Sequence, residues 1–139
     1  MSHPREIIRS IREYLPSGQA LGAKESAIQV HQLPCGFLSF TLEGRISIVN
    51  DKLQSWLGYR LEALQDKPVD TILTASSILF YQMYFFPMIR LHGRAEDIRL
   101  SLLASDGQEI PVRVNGACHN VEGSLAIECL ILKDEPLQS

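Results

Sequence analysis

Several features that would assign a function at once are missing or scarce. There are only three cysteines, an odd number, and no Cys-x-x-Cys pair. Neither a disulfide framework nor a zinc knuckle is indicated, so Cys35, Cys118 and Cys129 read as small buried residues in a reducing compartment. The four histidines, His3, His31, His92 and His119, share no ligand spacing, and no metal is expected. Basic charge is short: 13 Lys and Arg against 16 Asp and Glu give a net charge of −3. A nucleic-acid partner needs a concentrated cationic face, and none is visible. Unbroken apolar runs extend over a few residues, far below the roughly 20 needed to cross a bilayer. Met1 to Leu15 does not read as a signal peptide, because Arg5, Glu6, Arg9, Arg12 and Glu13 interrupt any apolar core. The expectation is a cytoplasmic domain without membrane insertion.

With 45% hydrophobic and 21% charged residues in 139, the chain can build one core. Pro4 to Leu15 has Ile7, Ile8, Ile11 and Leu15 at helical spacing, and Pro16-Ser17-Gly18 stops the run. Residues 1–26 are thus an amphipathic helix and linker, 27–133 the domain, and 134–139 the start of a connector. The core opens with a hairpin. Gly36 to Thr41 is one strand, Leu42 to Arg45 the turn, and Ile46 to Val49 the return. Asn50 suits a helix N-cap, and Gly58 closes the short helix carrying Leu53, Trp56 and Leu57. Two short helical pieces, Leu61 to Leu64 and Val69 to Leu73, come next.

Ala75 to Leu91 is the longest helix candidate, with Ile78, Leu79, Met83, Phe86 and Ile89 near one stripe and Pro87 expected to kink or break it. Three alternating strands follow: Arg94 to Ala104, Glu109 to Cys118, and Ser124 to Lys133. Two strands, several helices and three strands predict an α+β domain, with a five-stranded antiparallel sheet and helices on one face.

The segments "GFLSFTLEGRISIVNDKLQSWLGY", "FYQMYFFPMIRLHG" and "DIRLSLLASDGQEIPVRVNGA" together resemble a PAS domain, a sensor fold of many signalling proteins. The first block resembles the opening strand pair, Asn-capped helix and Leu57-Gly58-Tyr59 stop. The last resembles the hairpin within the closing strands. The middle block is similar to a bacterial subgroup that precedes histidine kinases, diguanylate cyclases or PP2C-type phosphatases. The resemblance covers about Leu33 to Lys133. It implies the PAS fold and a sensory or interaction role in two-component or cyclic-di-GMP signalling. Haem-binding members use a histidine on the long helix, and this one has none between Ala75 and Arg90. The flavin-binding branch uses a Gly-x-Asn-Cys motif, also missing here, so neither cofactor is expected.

Catalysis is not expected. The serines lie on or beside strands without a Gly-x-Ser-x-Gly elbow, and the carboxylates fall mostly in turns and helix starts. An enzyme of cone-like α+β fold would need an acid in an apolar pocket. Two readings remain. In the first, a cavity between the long helix and the sheet admits a small apolar ligand. Its lining would be Trp56, Leu79, Phe80, Met83, Tyr84, Leu100, Leu102, Val114, Ile127 and Cys129, with Tyr84 or Arg113 as polar anchors. In the second, these side chains fill the core and the chain only docks or dimerises. On the other sheet face, Phe37, Leu103, Leu130 and Leu132 are more apolar than a solvated face should be. The stripe of Ile7, Ile8, Ile11 and Leu15 needs a surface to cover. In PAS proteins such helices commonly build the homodimer, which the resemblance implies here.

Overall fold

A computed structural model of the chain describes residues 30–134, except Glu122 and the side chain of Val121. The expected N-terminal helix, with Ile7, Ile8, Ile11 and Leu15, and the connector beyond Asp134 lie outside the described residues. Strands β1 (Gly36–Thr41) and β2 (Ile46–Val49) form the opening hairpin. Helices α1 (Asp51–Leu57) and α2 (Leu61–Leu64) follow, then a 3-10 turn, Val69–Ile72. A long helical run comprises α3 (Ala75–Phe80), a π-helical stretch, Tyr81–Phe85, and α4 (Phe86–His92). Strands β3 (Arg94–Leu103), β4 (Glu109–Val121) and β5 (Ser124–Lys133) complete one sheet, ordered β2-β1-β5-β4-β3. Every neighbouring pair is antiparallel. The expected α+β architecture is therefore present. Among the described residues no helix is long and apolar enough to cross a membrane.

Local chemistry explains the element ends. The side chain of Asn50 accepts from the Leu53 N–H at 3.1 Å and starts α1. Gly58 ends it in the left-handed conformation, φ 75°. A Cβ there would also sit 2.6 Å from the Ser105 Oγ, which would have to turn away. The start of α3 is tied to β3. Thr74 donates its N–H to the Ser101 carbonyl at 3.2 Å, and the Ser101 N–H donates to the Ser77 Oγ at 2.8 Å.

The side-chain period of two gives the sheet distinct faces. Leu38, Phe40, Leu102, Val112, Val114, Ile127, Cys129 and Ile131 point into the core under the helices. Arg113, Asn115, Glu128, Leu130 and Leu132 point the other way.

The long helical run departs from the expected stripe. Buried or half-buried positions step by four, Ser77, Tyr81, Phe85 and Ile89, while Leu79 and Met83 are exposed. On an α-helix of 3.6 residues per turn, each four-residue step drifts by about 40°. The wider π turn takes up that drift. Its last bond runs from the Phe86 N–H to the Tyr81 carbonyl, five residues back. Pro87, which has no N–H to give, sits just after this turn.

Candidate functional site

Three regions bear on function: the interior under the helices, a groove at its edge, and the opposite sheet face. The interior holds part of the expected pocket lining. Leu102, Val114, Ile127 and Cys129 are buried in the core, with Leu100 and Trp56 half-buried against it. Lys133 places its ammonium 5.1 Å from the Trp56 ring centre, capping that side. Phe85 occupies the centre. Gly116 lies beneath its ring, where an added Cβ would be 2.7 Å from the Phe85 Cζ and 3.3 Å from the Cys129 Sγ. Burial is the main reason the Cys129 thiol stays protonated, with Glu128 adding to the effect. That makes Cys129 a packing residue.

Five expected pocket residues lie elsewhere. Leu79, Phe80, Met83 and Tyr84 are exposed on the outer side of the helical run, with Met83 72% exposed. Within α3 the buried residue is Ser77, so Leu79, two residues on, points outward, and the π turn keeps Phe85 on the inward side. Arg113 belongs to the outer sheet face, because residues between Val112 and Val114 must point away from the core. There its Nη1 lies 3.3 Å from the Asp97 carboxylate and its Nε 3.3 Å from that of Asp134. Asp97 sits at a β-bulge with φ 55°, and its N–H donates to the Asn115 Oδ1 at 2.9 Å. Arg113 thus joins the bulge to the end of β5, away from any interior ligand.

The groove lies on the helical side. Leu42, Glu43 and Gly44 of the β1–β2 turn form one wall, and Pro68, Val69 and Asp70 around the 3-10 turn form the second. Tyr81, Gln82 and Phe86 supply the helical wall, and the groove encloses about 280 Å³. Tyr81 packs edge-on to Phe40 and stacks on Phe85, at ring separations of 5.9 and 5.8 Å. Burial raises the Tyr81 phenol well above its ordinary range, and the charge of Asp70 acts in the same direction. The sequence reading named Phe86 near the helix stripe but gathered none of these residues into a site, since it faced Leu79 and Met83 inward. The run of aromatics from Phe80 to Phe86 was the available signal.

On the opposite sheet face Phe37 and Leu130 are buried together with Val30 and Cys35, and Leu33, Ile48 and Leu132 pack half-buried against them. Leu103, expected here, is not part of this cluster. Asn50 holds the region together from beneath. Its Oδ1 accepts from the Phe37 N–H at 2.9 Å, and its Nδ2 donates to the carbonyls of Val30 and Cys35 at 2.8 and 2.9 Å. Beside the cluster lie three buried polar side chains, Ser39, Asn115 and Glu128, with His119 Nε2 3.9 Å from the Glu128 carboxylate. Buried polar groups on a sheet face mark a surface that is covered rather than solvated.

No protein-family model matches the chain. It is 36% identical over 104 residues to phosphoserine phosphatase RsbP of Bacillus subtilis, an alignment covering 75% of this chain. The chain spans about a quarter of that relative, 26% of its length. Among solved structures, the PAS domain of a Colwellia psychrerythraea protein superposes with a TM-score of 0.70 at 14% identity, covering 79% of this chain and 94% of that one. The PAS domain of a Desulfitobacterium hafniense protein gives a TM-score of 0.65 at 20% identity, covering 74% and 95%. With its strand order, its helices gathered on one sheet face and these likenesses, the chain has the PAS fold.

Proposed function

We propose that the chain is a non-catalytic regulatory module of a bacterial signal-transduction protein, acting as a homodimer that controls an output domain. The observation that carries this reading is the apolar cluster of Phe37 and Leu130 on the sheet face away from the helices, with Leu132 half-buried at its edge. An isoleucine stripe, Ile7, Ile8, Ile11 and Leu15, occurs in the same chain and requires an apolar partner surface. Symmetric pairing of one such face is the commonest closed assembly. The bacterial relative supports a phosphatase as the output. It is named a phosphoserine phosphatase, and this chain corresponds to 26% of it. A histidine kinase or diguanylate cyclase output is the alternative. Control requires that a signal bind one dimer arrangement better than another, by about 1.4 kcal/mol for each tenfold shift.

Sedimentation equilibrium tests the dimer. The full chain should associate reversibly, and Ile11→Glu and Leu132→Glu should each weaken association by at least tenfold while circular dichroism stays unchanged. A monomeric parent chain, or a dimer unaffected by both variants, overturns the reading. A second reading, a small-molecule sensor, is favoured by the groove beside Tyr81. Against a large interior cavity stands Phe85, whose ring fills the space above Gly116. A pure docking module with a filled core is the remaining alternative.

A further inference from the structure

The sheet face away from the helices carries a carboxylate beside its apolar cluster. Glu128 lies on β5, the middle strand, and its side chain is fully enclosed. Across the strands it pairs with Ser39 and Ala117, and Ala126 stands two residues away on the same face. Side chains this small do not enclose a glutamate, so its cover comes from above the sheet. In the next row lie Leu130 and its cross-strand partner Phe37, both buried. His119 Nε2, 3.9 Å from the carboxylate, adds positive charge only when protonated. A carboxylate kept from water on an apolar face calls for a cover that brings a cation with it.

One segment of this chain combines those properties. At helical spacing Arg12 has Ile8 four residues before it and Leu15 three residues after, so it borders the apolar stripe. Arg9 has Arg5, Glu6, Arg12 and Glu13 at the same spacings and belongs to the polar side. An arginine at the edge of a stripe lays its methylenes along apolar surface and extends its guanidinium past them. The described residues begin at Val30, which is buried against Phe37 and Leu130 on this same sheet face. Fourteen residues separate Leu15 from Val30, up to roughly 45 Å of chain, which is enough to cross to a second copy. We propose that residues 4–15 of one copy dock on this face of the other, with Arg12 paired to Glu128 of the partner subunit. The proposal rests on the homodimer reading and adds what sets its register. Apolar contacts alone let a segment slide or reverse, whereas a buried ion pair penalises every placement that leaves the carboxylate without its cation.

A double-mutant cycle read by sedimentation equilibrium tests the pair. Arg12→Gln should weaken association of the full chain by about tenfold or more, because it leaves a buried carboxylate behind. In a Glu128→Gln background the same substitution should cost under about threefold, since no charge is then stranded. Arg9→Gln should change association in neither background. Equal costs of Arg12→Gln in both backgrounds, or coupling at Arg9 in its place, overturn the proposal while the dimer stands. A monomeric parent chain overturns the dimer reading and this one with it. Chains carrying Arg12→Cys and Glu128→Cys, made separately and mixed under mild oxidation, locate the contact. A disulfide-linked dimer on a denaturing gel is expected, above the level of either variant alone and of an Arg9→Cys mixture. Linkage confined to single chains that carry both substitutions would place the segment on its own sheet and overturn the exchange between copies.

Discussion

Asn50 shows how much one side chain can hold. Fully buried, it makes four hydrogen bonds, to the N–H groups of Phe37 and Leu53 and the carbonyls of Val30 and Cys35. Asn50→Ala removes a helix cap and strands an N–H and two carbonyls. An uncapped helix costs about 1 kcal/mol, and each buried unsatisfied group about 1–3 kcal/mol. A loss of at least about 4 kcal/mol is expected in urea unfolding followed by tryptophan fluorescence. Asn50→Asp should lose nearly as much, because a carboxylate cannot donate to Val30 and Cys35. The buried thiols give the protein an alkaline limit. Burial pushes Cys35 from 9.0 up to about 11, partly opposed by Lys52, and pushes Cys129 further in the same direction. The native state therefore keeps protons that the unfolded chain releases above pH 9.0. This stabilisation is complete below pH 9.0 and is lost as pH rises toward about 11. The urea midpoint should fall across that interval, and Cys35→Ala should reduce the slope.

At the scale of elements, the π turn keeps Phe85 and Ile89 on the side of the helical run that Ser77 and Tyr81 already face. Leu79 and Met83 lie on the side of the run away from Ser77 and Tyr81, and both are exposed. Phe85, 1% exposed, takes the central position over Gly116. The contrast is directly measurable. Leu79→Ser and Met83→Ser should each change stability by less than about 0.5 kcal/mol, as surface substitutions do. Phe85→Ala should cost about 3–5 kcal/mol, the range for emptying a buried aromatic site. Equal costs at all three positions would mean that the helical run buries a different side. Alternation in the strands is easier to read than helical phase, because a period of two has no fractional remainder. Every strand start was legible within a residue, and β4 alone ran longer, to Val121 in place of Cys118. The bulge at Asp97 was not legible, since it depends on Asn115 and Arg113 from the neighbouring strand.

For the whole molecule, the sheet divides two kinds of surface: a core with an acidic, aromatic-walled groove on the helical side, and a covered apolar face on the other. If the second face pairs two chains, the melting temperature must rise with protein concentration, because association stabilises only the folded form. A melting temperature independent of concentration over two decades would count against the dimer. The sequence by itself determined the α+β class, the hairpin, the Asn50 cap, the Gly58 stop and the closing strands. These follow from local chemistry and from hydrophobic periods within a few adjacent residues. It also marked Phe37, Leu130 and Leu132 as one apolar set, since strand alternation assigns faces without knowledge of neighbours. The tertiary structure alone decided the rest. It put Arg113 into ion pairs on the outer face, moved Leu79, Phe80, Met83 and Tyr84 to the surface, and set Tyr81 beside Asp70 and Glu43. Each of these depends on which segments meet across the fold, and a helix with apolar residues all round does not declare by its own period which side it will bury.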